Sequence, residues 1–375
     1  MKRSWFVLAG AGLLLTWGLF QSDNLDAFIK SGQLRATVAR EPAGTAQPPG
    51  SSPASGHVPL STGPIASALN PQEKEAKLQA EAAAAQAKLV RDTQLLDRIR
   101  QEAEKRKLAP INAKIDRVWK AIPGLNGREL DVEATWQQAV KLLESGAESF
   151  PLVYKEIPPS VKLEDLGAQP IYKGNPNKPM IALMINVAWG DEFLPKMLEV
   201  LDKEQVKATF FLDGSWLKKS TETAKTIGGK GHELSNHAYS HKNMSQLGRQ
   251  QATEEITKTE SLLNGLGIKN TLFAPPSGDY NEQTVQIASE LGLKTVLWTL
   301  DTVDWKNPGA DTILRRLTPR LEPGALILMH PTVSSSEALE QLIRNIKEKG
   351  FQLGTVSELL SPSRLQAPEP ESIRF

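Results

Sequence analysis

From about residue 175 onward the sequence predicts an α/β protein built on a distorted (β/α)7-type barrel, and three observations lead there. Short apolar runs recur: "MIALMI" (180–185), "KATFFL" (207–212), "HELSN" (232–236), "TLFAPP" (271–276), "KTVLWTL" (294–300), "GALILM" (324–329) and "FQLGTV" (351–356). Between them lie amphipathic stretches of helical period such as "FLPKMLEVLDKE" and "SEALEQLIRNIKEK". The runs are nearly continuous in apolar residues rather than alternating, the pattern of parallel strands covered by helices on their faces. About seven such βα repeats suit a closed or nearly closed barrel.

The elements before the barrel follow in order. Lys2 and Arg3 precede an uncharged stretch over residues 4–20, so residues 1–22 read as a signal peptide or a membrane anchor. Either form keeps the two cations inside and exports the rest, giving a membrane-anchored or secreted protein on the extracytoplasmic face. Residues 23–70 end in a Pro-, Gly- and Ser-rich stretch that cannot bury enough apolar surface to order itself, and read as a flexible linker. Strong helix formers with interspersed Glu and Lys fill residues 71–108, where the leucines are too sparse for a coiled-coil seam; a solvated spacer helix is expected. Residues 109–155 read as a small α/β unit. In it Ile111, Ile115, Val118, Trp119 and Ile122 sit at helical spacing up to Pro123–Gly124, "RELDV" suggests a strand, and "EATWQQAVKLLES" a second helix. The barrel domain spans 175–362, and 363–375 is a tail.

Composition narrows the chemistry. Lys+Arg is 44 and Asp+Glu is 43, for a net charge of +1, which gives no support to nucleic-acid binding. With no cysteine, disulfides, thiolate metal sites and a cysteine nucleophile are excluded. Histidine is scarce, at 5 residues, yet His237 and His241 stand four apart, a spacing that on a helix turns two imidazoles toward one point.

In a barrel of this kind the site forms at the carboxy ends of the strands. The residues at or just past those ends are Asn186 and Val187, Asp213, His237 and His241, Pro275–Pro276–Ser277–Gly278, Asp301 and Asp304–Trp305, and His330. Three of the five histidines fall on this rim. His232, at a strand start, has no expected catalytic part, and Asp191 is expected to cap the helix that follows it.

These residues resemble a known family. "SNHAYSH" looks like the H-[ST]-x-x-H metal motif of the polysaccharide deacetylases, the NodB-homology carbohydrate esterases. "LFAPPSG" is similar to their R-P-P-Y-G turn, "LDTVDW" to D-x-x-D-W and "LILMHP" to L-x-H. The wording "INVAWGDE" and "LMHPT" most resembles the sporulation-associated group. The resemblance implies a divalent metal, often zinc, held by His237 and His241, and hydrolysis of N-acetyl groups on a cell-wall glycan such as peptidoglycan or a chitin-like N-acetylglucosamine polymer. It makes His330 the general acid and Asp304 the residue that orients it. Trp305 and Leu328 would line the groove for the acetyl methyl, and the backbone N–H of Ser277 would serve the oxyanion hole.

The first motif departs from the family's T-F-D-D-G. The base aspartate position is Asn186, the metal aspartate position is Val187, and the arginine of the fourth-strand turn is Ala274. An amide has no proton affinity near neutral pH, and valine has no lone pair. The losses are mutually consistent, because an arginine left without its carboxylate would be an uncompensated buried charge. Asp213, at the end of a neighbouring strand, is the candidate replacement for the third ligand. Two readings follow: a deacetylase of weakened activity, and a catalytically inactive glycan-binding or scaffolding module at the cell surface.

Overall fold

A computed structural model describes residues 70–365 and 371–375. The expected membrane segment, and all of the linker but its last residue, lie outside the described residues; within them no helix is long and apolar enough to cross a membrane. The amino-terminal part of the described chain runs α1 (Pro71–Arg106), β1 (Lys114–Asp116), β2 (Lys120–Ile122), β3 (Gly127–Leu130), α2 (Val132–Glu144), β4 (Ser149–Pro151) and β5 (Tyr154–Ile157). The rest alternates strand and helix: β6 (Met180–Val187), α3 (Leu194–Lys203), β7 (Thr209–Leu212), α4 (Gly214–Lys219), α5 (Thr221–Gly229), β8 (Glu233–Asn236), α6 (Arg249–Gly265), β9 (Leu272–Phe273) and α7 (Glu282–Glu290). It continues with β10 (Lys294–Thr295), β11 (Leu300–Asp301), α8 (Ala310–Leu317), β12 (Leu326–Met329), α9 (Val333–Glu348), β13 (Gln352–Gly354), α10 (Val356–Leu360) and β14 (Ser372–Arg374).

Strands β6 to β13 form one parallel sheet in the order β10-β9-β8-β7-β6-β12-β11, with β13 pairing the first half of β6. Its edge strands β10 and β11 are consecutive in the chain, joined by residues 296–299. Five Cα steps reach at most about 19 Å, whereas seven flat strands would hold their edges about 29 Å apart. The sheet therefore curls. The run "KTVLWTL" breaks into β10 and β11 at that gap, where Ile171 accepts from the Leu297 N–H (2.8 Å) and donates its own N–H to the Thr295 carbonyl (2.9 Å).

Strand β6 is buried on both faces, and its alternation divides two cores. Ile181, Leu183, Ile185 and Val187 pack on the helix side with Leu201, Trp216 and Leu339. Met180, Ala182 and Met184 point into the barrel with Phe211, Ala274 and Leu328. Asn186 continues the inward series.

The small unit differs from its sequence reading. The apolar spacing over 111–122 is not a helix but the antiparallel hairpin β1–β2, with Ile115 and Val118 exposed. The reason is local: Asp116 Oδ1 accepts from the Val118 N–H (2.8 Å) and the Trp119 N–H (2.9 Å), so the side chain offers the backbone a turn in place of a helix. The expected strand and second helix form as β3 and α2, the latter capped by Asp131. Nor is α1 solvated throughout. Leu95, Leu96 and Ile99 are buried, and Leu95 and Ile99 join a core with Leu130, Ala139 and Phe150. The end of the expected tail pairs with β4 as β14 and packs Phe375 against Phe150, ring centroids 5.0 Å apart and tilted by 41°.

Candidate active site

The carboxy ends of the strands bring the expected residues to one mouth. Asn186 and Val187 lie opposite Phe211 and Leu212, Leu212 lies opposite Asn236, and Asn236 opposite Phe273. On the other side of β6, Met329 lies opposite Ile185, and Asp301 opposite Leu328. Residues 186, 213, 237, 274, 304 and 330 are thus each at, or within three residues of, adjoining strand ends.

His237 and His241 meet with ring centroids 5.3 Å apart, edge to face. They do so in a loop rather than across a helical turn, because Ala238 (φ 58) and His241 (φ 53) are left-handed. That loop is held from α6: Glu255 accepts from the Tyr239 N–H (3.1 Å), the Ser240 N–H (2.7 Å) and the Ser240 hydroxyl (2.6 Å), and the Thr259 hydroxyl donates to the Ala238 carbonyl (2.8 Å). Burial pushes the Glu255 carboxyl up, but these donors and Lys242 outweigh it and hold it below the ordinary range. Glu255 was not singled out from sequence. Its signal was a carboxylate on a face otherwise carrying Ala252, Ile256 and Leu263.

The His237 Nδ1 lies 2.7 Å from the Ala274 carbonyl. A carbonyl only accepts, so Nδ1 carries the proton and Nε2 presents its lone pair. Burial, and then the neighbouring His241, lower the His237 pKa to about 3, so the ring is neutral at physiological pH.

The donor set nevertheless does not fit the family's three-ligand divalent centre. Val187 is fully buried on the helix side. Asp213, the expected replacement, does not join the histidines: its Oδ1 accepts from the Trp216 N–H (3.0 Å) and the Ser215 hydroxyl (2.5 Å), which commits it to the cap of α4. Among the described residues no group of three His, Cys, Asp or Glu side chains is placed to hold a metal ion. Two imidazoles without an anionic partner make a weak site. Asp191 is likewise not a cap. It accepts from the Trp216 indole (2.9 Å) and the Ser220 hydroxyl (3.0 Å), tying its loop to α4.

The acid half is assembled. Asp304 is fully buried, and its Oδ1 lies 2.8 Å from His330 Nδ1 while its Oδ2 accepts the His330 N–H at 2.6 Å. The Ser335 hydroxyl, in the first turn of α9, also donates to Oδ2. Burial raises the Asp304 carboxyl, but the His330 and Ser335 hydrogen bonds and the His330 charge win and leave it below the ordinary carboxylate range. The His330 ring is fixed through Nδ1, which leaves Nε2 for a ligand. Trp189 stacks on that ring, 6.0 Å away and 8° from parallel, and is half exposed. Neither Ser335 nor this stack was legible in sequence.

Trp305 is exposed beside Asp304, and Leu328 is buried in the barrel interior. Ser277 sits in a turn at φ 56, and among the described residues its N–H has no acceptor. Gly278 (φ 67) lets the turn lie on Trp298, where a Cβ would come within 2.5 Å of the ring.

A barrel with this histidine pair, this Asp–His dyad and this turn defines a class. The polysaccharide deacetylase model matches residues 173–296, and the chain belongs to the polysaccharide deacetylase family. It is 46% identical over 273 residues to the Bacillus subtilis protein YlxY, itself uncharacterized, covering 72% of this chain and 85% of the relative. It is 36% identical to a peptidoglycan-N-acetylglucosamine deacetylase of Bacillus cereus, covering 52% of this chain and 72% of that protein. The crystal structure of a CE4-family pseudoenzyme from Bacillus anthracis superposes with a TM-score of 0.66 at 44% identity, over 72% of this chain and 96% of the other.

Proposed function

We propose that this chain binds N-acetylated cell-wall glycan in the mouth of its barrel and hydrolyses the acetamide weakly or not at all. One observation carries the proposal: at the base position the inward-facing residue is Asn186, and the neighbouring metal position, Val187, faces the helices. Amide hydrolysis needs a group to take the proton of the attacking water and another to give one to the leaving amine. Here the second exists, as His330 held by Asp304, and the first does not.

The relatives support this reading. Peptidoglycan deacetylases are among them, one structural neighbour is described as a pseudoenzyme, and a mutant of that neighbour is described as having restored enzymatic activity. The location that goes with it is the extracytoplasmic face, reached through the segment after Lys2 and Arg3. A sporulation-linked role rests on the motif wording alone, and zinc is the ion to try first in a repaired site.

The test installs Asn186→Asp, Val187→Asp and Ala274→Arg together and measures acetate released from N-acetylglucosamine tetrasaccharide and peptidoglycan with zinc present. Release should rise at least about a hundredfold over the parent chain, the low end of what a positioned general base contributes. A folded triple variant that gains nothing would show that the cleft has diverged elsewhere, against the proposal.

A further inference from the structure

We infer that the β1–β2 hairpin docks on the surface of an anionic phospholipid bilayer, with Lys114, Arg117 and Lys120 at the lipid phosphates and Ile115 and Val118 in the acyl boundary. The inference uses none of the residues named at the mouth of the barrel and stands apart from the function proposed above.

The tip of the hairpin departs from ordinary turn chemistry. Residues 117–119, Arg-Val-Trp, join the two strands where Gly, Asn, Asp or Ser is the usual choice. Val118, at the tip, is 64% exposed, and Ile115, on the first strand, 52%. Lys120 holds a left-handed backbone (φ 59), a conformation that glycine or asparagine takes with less strain. Below the tip the hairpin is firmly rooted. Ala121 and Ile122 are buried, the Ala121 N–H donates to the Pro170 carbonyl (3.2 Å), and Lys120 bridges to Ile171. The root therefore presents the tip in one shape, and little ordering is left for a partner to impose.

Charge names the partner. Lys114, Arg117 and Lys120 are exposed, and among the described residues none of them pairs with a carboxylate. The one carboxylate between them, Asp116, is taken up by the Val118 and Trp119 N–H groups. Lys173, over the Trp119 ring, is already paired with Glu322 at 2.8 Å. The tip thus sets three free cations against one carboxylate, with aliphatic side chains among them. A soluble phosphate polymer would satisfy the cations and leave Ile115 and Val118 in water. A bilayer with anionic headgroups takes both, the cations at its phosphates and the apolar side chains just beneath. The half-buried Trp119 suits the same boundary, where an apolar ring and a wet N–H are both accommodated.

The chain has no cysteine, so Val118→Cys carries a single environment-sensitive fluorophore such as nitrobenzoxadiazole. The full chain so labelled is mixed with vesicles of phosphatidylcholine alone, and of phosphatidylcholine and phosphatidylglycerol in equal parts. The readout is local, so it holds whether or not the amino-terminal segment itself inserts. Emission should shift to the blue on the anionic vesicles and return in high salt. The same label at Glu337→Cys, exposed on α9, should not move. Lys114→Gln, Arg117→Gln and Lys120→Gln together should lower the ratio of docked to free label about a hundredfold, and Arg117→Gln alone about fivefold, the worth of three cations and of one at an anionic surface. Arg117 is exposed and makes no ion pair, so its variant keeps the test decisive if the triple variant misfolds. A label at 118 that stays in water on anionic vesicles, an equal shift on neutral ones, an Arg117→Gln variant that docks as the parent does, or a label at 337 that shifts in step would each overturn the assignment. Polyphosphate that binds the tip while the label stays in water on vesicles would make it a phosphate-polymer site instead.

Discussion

Val187→Asp puts the register of β6 to a quantitative test. In the fold the Val187 side chain is fully buried among apolar residues of the helix side, next to the pairing partner Leu212. A carboxyl placed there has no cation and no donor. Holding it protonated at pH 7 against an ordinary pKa near 4 costs about 4 kcal/mol, roughly three units at 1.36 kcal/mol each. Losing the apolar side chain adds about 1–2 kcal/mol. For a domain of this size about 5 kcal/mol corresponds to roughly 10 °C in melting temperature. The family's metal chemistry offers one escape, if a zinc ion draws the new carboxylate and His237 Nε2 into one coordination shell. Zinc at about a hundredfold over its Kd would then return roughly 2.7 kcal/mol, and His237→Ala would abolish that rescue. The assay is thermal unfolding with and without zinc. A variant as stable as the parent, and indifferent to zinc, would refute the outward placement of residue 187.

Four further outcomes follow from the same geometry. Burial, with Lys207 next, lowers the His232 pKa to about 4, and His237 stays near 3. Both are neutral in the fold where the unfolded chain binds a proton, so stability should fall as pH drops from about 6.5 toward 4, by about 1.4 kcal/mol per unit for each. His232→Leu should remove about half of that slope in pH-dependent urea unfolding; an unchanged slope would contradict the burial argument. Asp304→Asn should cost about 2–3 kcal/mol at neutral pH, because charged hydrogen bonds from His330 and Ser335 are lost. Since the folded carboxyl lies below its ordinary range, the gap to the parent should be full above about pH 4 and shrink as pH falls further, which melting curves across that range would register. Gly278→Ala should cost about 1–2 kcal/mol through its φ of 67 and its approach to Trp298, and a neutral result would mean the turn carrying Ser277 is free to move.

Much of the barrel was legible because its signals are local and strong. Apolar runs bounded by helices mark β6, β7, β8 and β12 within about two residues, and the polar rim follows once the strands are parallel. What escaped depends on tertiary placement. The spacing over 111–122 imitates a helix, and only the Asp116 side chain, which turns the backbone after it, decides for a hairpin. Asp213 stands at the right strand end for a ligand, yet its Oδ1 caps α4 and among the described residues the side chain joins no group of three metal-ligating residues. The direction of Val187 is set by the strand running two residues further than its apolar run suggests, which keeps the alternation going through 187. Ser335, Glu255 and the Trp189 stack act across more than a dozen residues of sequence or between loops, where no periodicity reports them.

Acetate release by the unaltered chain, measured with N-acetylglucosamine tetrasaccharide at saturating divalent metal alongside calorimetric binding of the same sugar, tests the central claim most directly. A cleft that keeps its acid and has lost its base predicts binding with little or no acetate. Sustained release that disappears in His330→Ala would contradict it, because some residue other than Asn186 would then be taking the proton.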